Sequence, residues 1–292
     1  MKVATAAYPI DWHDSWQSYA DKVTRWVHDA AENGAQMLVF PEYGAMELAS
    51  LAGAEQAGDL AGSIRAVSDR VAEADDLHRQ LAQDTQTYIL SASAPVPDGD
   101  EIVNRARFFS PAGAMDWQDK QIMTRFERED WGIAGGGPLK VFDTAFGKVG
   151  ILICYDSEFP LLARALVDAG CEAILVPSAT EALSGYSRVR IGAMARALEC
   201  QCVTVMASNV GDAPWCEAVD MNVGRGGVFC PPDKGFDPTG VLAEGVMNQP
   251  GWTYAEIDFD QIAEVRKDGV VLNLTHWEEQ LPRVSAVELS PF

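Results

Sequence analysis

The amino-acid sequence predicts one layered α/β domain built on a mixed sheet. Three observations lead there. Short apolar runs of strand type alternate with stretches of helical periodicity, turn-linked strand pairs interrupt that alternation, and no repeat, low-complexity tract or linker divides the chain before about Asp258. The hairpins argue against a pure parallel barrel. Residues 1–258 are read as the domain, and residues 259–292, richer in polar and proline-flanked segments, as a C-terminal extension.

In order along the chain, Val3 to Tyr8 reads as a first short strand. Trp16 to Asn33 follows with apolar residues at helical spacing (Trp16, Tyr19, Val23, Trp26, Val27, Ala30) and stops at Asn33-Gly34, a usual helix exit. Met37 to Phe40 is a continuous apolar run of buried-strand type, ended by Pro41. A helix is expected over Ser63–Thr85 and a strand over Thr87–Ala94. Val103–Phe109 and Ala114–Asp119 are two strands joined at Ser110-Pro111-Ala112-Gly113, and Leu139–Phe142 pairs with Lys148–Cys154 around Ala145-Phe146-Gly147. The pattern closes with a helix over Pro160–Ala169, a strand at Ala173–Pro177, a helix over Val189–Cys200, and strands at Val203–Ser208, Gly226–Cys230 and Thr253–Asp258.

The 292 residues are 48% hydrophobic and 22% charged, which fits a globular chain and excludes a fibrous or disordered one. Asp and Glu number 43 against 22 Lys and Arg, a formal charge of -21. Such a surface repels phosphate backbones, so nucleic acid is not expected as a partner. No apolar stretch approaches the roughly 18 residues of a membrane span, and the amino-terminal apolar run is short and ends at Asp11. A cytoplasmic protein without membrane contact is expected. The six cysteines (154, 171, 200, 202, 216, 230) form no CxxC pair, which argues against a zinc site or a redox pair. The four histidines (13, 28, 78, 276) lie far from Cys154 in sequence, so nothing favours a Cys–His pair.

Three segments place a reactive residue at the end of a strand, where rigid α/β scaffolds present chemistry. They are Phe40-Pro41-Glu42, Asp119-Lys120-Gln121, and Gly150-Ile151-Leu152-Ile153-Cys154-Tyr155-Asp156. Singly, each has a plainer reading: a solvated turn carboxylate, a surface lysine, a core cysteine. In this order, and with Phe159-Pro160, Arg196-Ala197-Leu198-Glu199, Ser208-Asn209, Ala255-Glu256-Ile257-Asp258 and Val265-Arg266 behind them, the chain resembles the nitrilase superfamily, the carbon–nitrogen hydrolases, over about residues 3–266.

The resemblance implies a four-layer α-β-β-α sandwich, two mixed sheets flanked by helices. It implies Glu42 as general base, Lys120 as catalytic lysine and Cys154 as nucleophile. Many members carry a second glutamate before a Pro-Gly turn; here that turn is Gly135-Gly136, and aligning on it favours Glu129, with Glu127 as the alternative. The chemistry is coherent with the residue types. A thiol with a reference pKa of about 8.5 needs a base, and attack on an amide builds charge on oxygen that Lys120 and the N–H of Tyr155 can meet. No cofactor or metal is required. Tyr155, Glu158, Arg188, Arg190 and Trp215 are the candidate substrate-binding residues: the arginines stand where relatives often carry His-Trp and could clamp a carboxylate, and Trp215 could serve as a lid. A small amide or N-carbamoyl substrate and water are the expected partners, with nitrile hydrolysis as the alternative because Tyr155-Asp156 replaces the Trp-Glu of nitrilases. A homodimer or larger assembly is also implied, with the extension 259–292 packing on the partner subunit; a catalytically silent binding homologue is the remaining alternative.

Overall fold

A computed structural model describes residues 1–291. Fifteen strands form its sheet: β1 (Lys2–Pro9), β2 (Met37–Val39), β3 (Tyr88–Leu90), β4 (Ala94–Asp98), β5 (Glu101–Phe109), β6 (Met115–Asp119), β7 (Ile133–Ala134), β8 (Val141–Asp143), β9 (Lys148–Ile151), β10 (Ala173–Ser178), β11 (Val203–Asp212), β12 (Met221–Asn222), β13 (Gly227–Phe229), β14 (Val241–Glu244) and β15 (Gly251–Glu256). The helices are α1 (Trp16–Glu32), α2 (Ala54–Gly58), α3 (Leu60–Ser68), α4 (Val71–Thr85), α5 (Arg125–Glu129), α6 (Pro160–Asp168), α7 (Leu183–Glu199), α8 (Phe259–Asp268) and α9 (Asn273–His276).

The main path runs β4-β5-β3-β2-β1-β11-β10-β9-β8. From β3 to β9 neighbouring strands are parallel, and β5 and β8 add on antiparallel at the two ends. Parallel neighbours need crossovers. Helix α1 supplies the one from β1 to β2, α3 and α4 that from β2 to β3, α6 that from β9 to β10 and α7 that from β10 to β11. The two halves of the expected sandwich are therefore joined through the β1–β11 pair.

Side chains that alternate along β1 and β2 face opposite ways. Ala4, Ala6 and Leu38 pack with Tyr19, Val23 and Val27 of α1 and Leu81 of α4. Val3, Met37 and Val39 join the other core, with Val149, Ile151, Val205 and Phe229. The sheet curls far enough for its two ends to touch: Phe108 of β5 meets Phe142 of β8 with ring centroids 5.3 Å apart, and Ala145 N–H donates to the Tyr88 hydroxyl at 2.9 Å. This strongly curled mixed sheet with helices on its outer faces is the α/β class expected from sequence.

Local differences have local causes. The helix expected over Ser63–Thr85 is two helices, broken at Asp69-Arg70, and the first begins earlier because Asp59 caps it by accepting from Gly62 N–H. Helix α7 starts at Leu183 rather than Val189, since the weak helix formers Ser184 and Gly185 obscure its first turn. The chain past Asp258 opens with α8, capped by Asp258 and burying Ile262 and Val265; Arg266 donates to Gln201 O and Cys171 O. Beyond Gly269 it runs over the surface, with Val287 and Leu289 more than 90% exposed. No helix among the described residues is long and apolar enough to cross a membrane.

Candidate active site

The carboxyl ends of β2, β6, β9 and β10 converge. After β2, Pro41 stops the ladder and Glu42 points inward, 1% exposed, while Tyr43 turns the chain at φ 53° into the 3₁₀ segment Gly44–Ala52. Lys120 directly follows β6, and its backbone N–H donates to Asn104 O on β5 at 2.9 Å. Cys154 follows β9 at φ 50°, a left-handed conformation that a residue with a Cβ adopts at a cost of order 1–3 kcal/mol. The surroundings hold it there. Asp156, fully buried, accepts from Ile153 N–H at 3.1 Å, from Ile122 N–H at 2.8 Å and from Gln121 N–H at 3.1 Å. This carboxylate clasps the segment after the lysine to the turn that carries the cysteine. Burial pushes its pKa up to about 7.

Lys120 Nζ sits between two carboxylates, 2.7 Å from Glu42 Oε1 and 2.6 Å from Glu127 Oε2. Asn104 Nδ2 donates to the same Glu42 Oε1 at 2.9 Å, and Ala179 N–H donates to Oε2 at 3.0 Å. Tyr43 OH donates to Glu127 Oε1 at 2.7 Å, and Thr124 donates to Oε2 from both its N–H and its hydroxyl at 2.9 Å. Cys154 Sγ lies 3.6 Å from Ala179 O.

Burial raises the Glu42 pKa, against the opposing charge of Lys120. Burial works to lower the lysine's pKa, but Glu42 and Glu127 outweigh it and hold the ammonium protonated. Glu127 is held below the usual carboxylate range, because Lys120 and its hydrogen bonds overcome its burial. The Cys154 thiol is pushed well up, first by burial and then by Glu42. The resting arrangement is a neutral thiol beside a carboxylate able to take its proton.

A cavity of about 870 Å³ opens onto this group, and Glu42, Lys120, Glu127 and Cys154 form its floor. Tyr155, Glu158 and Arg188 are among the residues that line it; Arg188, 61% exposed, stands 3.6 Å from Glu158. Glu129 reaches only the rim. Its carboxylate is half exposed and paired with Arg125 at 2.7 Å, so the second glutamate at the lysine is Glu127, a correction to the register read from Gly135-Gly136. Arg190 does not face the cavity: two residues past Arg188 it leaves the other side of α7 and binds Glu244 at 2.7 Å. Trp215 stands behind the cavity loop, edge-on to Trp12 with centroids 5.4 Å apart, while Glu217–Asp220 of that loop line the cavity.

The signal for Glu127 is in the sequence: Thr124-Arg125-Phe126-Glu127 is a capping box, which marks a helix start and turns the fourth residue back toward it. Tyr43 and Asn104 carry no local signal. Among the described residues no three His, Cys, Asp or Glu side chains are placed to hold a metal ion.

A strand-end glutamate, a lysine and a strained cysteine converging on one cavity define a hydrolase-type α/β site, and comparison with known proteins gives the family. Residues 2–267 match the carbon-nitrogen hydrolase family model. A Bacillus subtilis relative, YhcX, is 32% identical over 274 residues; the match covers 94% of this chain and 53% of that protein. An omega-amidase of Xenopus laevis is 26% identical, with 85% of each chain covered. Among solved structures, a carbon-nitrogen hydrolase from Helicobacter pylori G27 superposes with a TM-score of 0.74 at 18% identity, covering 91% of this chain and 92% of that one. An amidase from Nesterenkonia sp. AN1 in complex with acrylamide gives 0.67 at 22% identity, covering 91% and 94%. The chain belongs to the carbon–nitrogen hydrolase family.

Proposed function

We propose that the chain hydrolyses the carbon–nitrogen bond of a small linear amide or N-carbamoyl compound through a thioester on Cys154. Glu42 takes the Sγ proton as sulfur bonds to the carbonyl carbon, and the oxyanion forms against Lys120 Nζ and the N–H of Tyr155. The C–N bond breaks as Glu42 returns that proton to the leaving nitrogen. Water then attacks the thioester, giving one proton to Glu42, and the acid leaves as Glu42 restores the thiol. Glu127 keeps the ammonium of Lys120 charged and aimed. The observation that carries this reading is Lys120 held within 2.7 Å of both carboxylates at a cavity floor shared with Cys154.

The test is ammonia release from simple amides, ω-amides, N-carbamoyl amines and nitriles. Turnover confined to nitriles would replace this reading with the nitrilase one, and no turnover of any class would favour a binding role. The base works deprotonated, so kcat/KM should rise with pH through the raised Glu42 pKa, with an acid limb above about 4.5. No alkaline limb from Lys120 is expected at the free-lysine value of about 10.4. A limb at the free-carboxylate value would count against Glu42 as the base.

We also propose a homodimer formed on the outer faces of α6 and α7, where Leu161, Ile191 and Leu198 stand exposed. Light scattering should give at least twice the 31.6 kDa chain mass; a single-chain mass would refute it.

A further inference from the structure

Glu42 has to receive a proton, carry it and release it, and a carboxylate offers two oxygens for that task, each with two lone-pair directions. In this structure the two are not equivalent. Oε1 accepts from Lys120 Nζ at 2.7 Å and from Asn104 Nδ2 at 2.9 Å, which fills it. Oε2 accepts from Ala179 N–H at 3.0 Å, and the carbonyl of the same residue stands 3.6 Å from the Cys154 sulfur. The vacant direction is therefore on the oxygen that shares a residue with the nucleophile.

Asn104 is fully buried on β5, and its backbone carbonyl accepts the N–H of Lys120. One residue thus fixes the lysine's backbone and the glutamate's carboxylate together. The far end of its side chain does nothing comparable: Oδ1 is buried with no hydrogen-bond partner. An amide that leaves a buried carbonyl unpaired is a poor choice for stability alone. Its orientation is set by the carboxylate, since the flipped amide would bring two acceptors face to face.

We propose that Asn104 is a positioning residue of the reaction: with Lys120 it occupies both lone pairs of Glu42 Oε1 and so leaves Oε2 to carry the proton between Cys154 and the leaving nitrogen. The proton moves from Sγ to Oε2 and from Oε2 to nitrogen, and Oε1 stays a pure acceptor throughout. This rests on Glu42 acting as the base. Without the amide, Oε1 gains a competing protonation site facing away from the sulfur, and the charged carboxylate loses a donor that favours it.

The experiment uses iodoacetamide alkylation of Cys154, followed by intact mass from about pH 4 to about pH 9. The variants are Asn104→Leu, of similar size without a donor, and Asn104→Ser, which keeps a shorter one. The acid limb of the Leu variant should move up by about one pH unit, with alkylation about tenfold slower on the acid side, and the Ser variant should fall between it and the wild type. Melting temperature should stay within a few degrees, because the Leu change also removes the unpaired Oδ1. Limbs that overlay the wild type overturn the assignment, whether or not the melting temperature falls. If the Leu variant does not fold, the Ser variant decides by the same criterion. Glu42→Gln is the control: a wild-type limb that survives it defeats the hydrolase reading as well, whereas a limb that vanishes with Glu42→Gln yet ignores Asn104 defeats only this inference.

Discussion

The molecule buries a lysine among carboxylates twice. At the cavity floor Lys120 lies between Glu42 and Glu127. Near the end of β1, Lys22 of α1 binds Glu47, Asp11 at 2.7 Å and Pro9 O at 2.6 Å, and Tyr8 OH donates to Glu47 at 2.9 Å. Lys22 and Glu47 are at most 4% exposed, much like Lys120 and its partners. By charge and burial alone the two groups are hard to tell apart. They differ in what they face. Lys22 and Glu47 pack between α1, β1 and the Gly44–Ala52 segment, with half-exposed Asp11 at the edge, and line no part of the cavity, whereas the Lys120 group opens onto 870 Å³ beside a cysteine held at positive φ. A buried ion cluster becomes a candidate site only when a reactive group and space for a substrate adjoin it; otherwise it is a structural tie.

Substitutions can break that contrast or sharpen it. Cys154→Ala should lower kcat/KM by at least about 10³-fold with the fold intact, measured as ammonia release beside a circular-dichroism melt. Glu127→Gln leaves the lysine with one carboxylate and should cost about 10²-fold, mostly in kcat, in the same assay. Lys22→Met should do the reverse: it strands Glu47 and costs about 3–5 kcal/mol of stability by urea titration, with kcat/KM per folded molecule unchanged within about twofold. A Lys22 variant that lost turnover while keeping its stability would erase the distinction between the two clusters. The smallest effect is expected for Glu129→Gln, within about twofold in kcat/KM, because that carboxylate is half exposed and meets only Arg125.

How far the site could be read from sequence follows the same division. Glu42, Lys120 and Cys154 were legible because each ends a strand whose apolar run or flanking turn is visible locally, and the carboxyl ends of strands that run the same way gather on one side. Glu127 is obscured because Gly135-Gly136, a turn several residues away, sets a misleading register, whereas the capping box that starts at Thr124 sets the right one. Tyr43 and Asn104 could not be read at all. They reach Glu127 and Glu42 across 84 and 62 residues of chain, and only the curl of the sheet makes them neighbours. Arg190 and Trp215 show the converse: the right residue types near the right segment, turned away by helix phase and by loop packing. The Lys22 cluster leaves no trace in the pattern, since Glu47 lies in a 3₁₀ segment with no clear periodicity.

Strand β4, at one end of the sheet path, has a bearing on how the protein behaves when crowded. Pro95 and Pro97 are two of its five residues, and neither brings an N–H group. A stray extended chain approaching that margin finds too few donors to zip onto, and Asp98 adds charge at the strand's end. The opposite margin, β8, is three residues long and already leans on Phe108. At these two margins the strands are therefore poor templates for a further chain, and a stray extended segment finds little there to pair with.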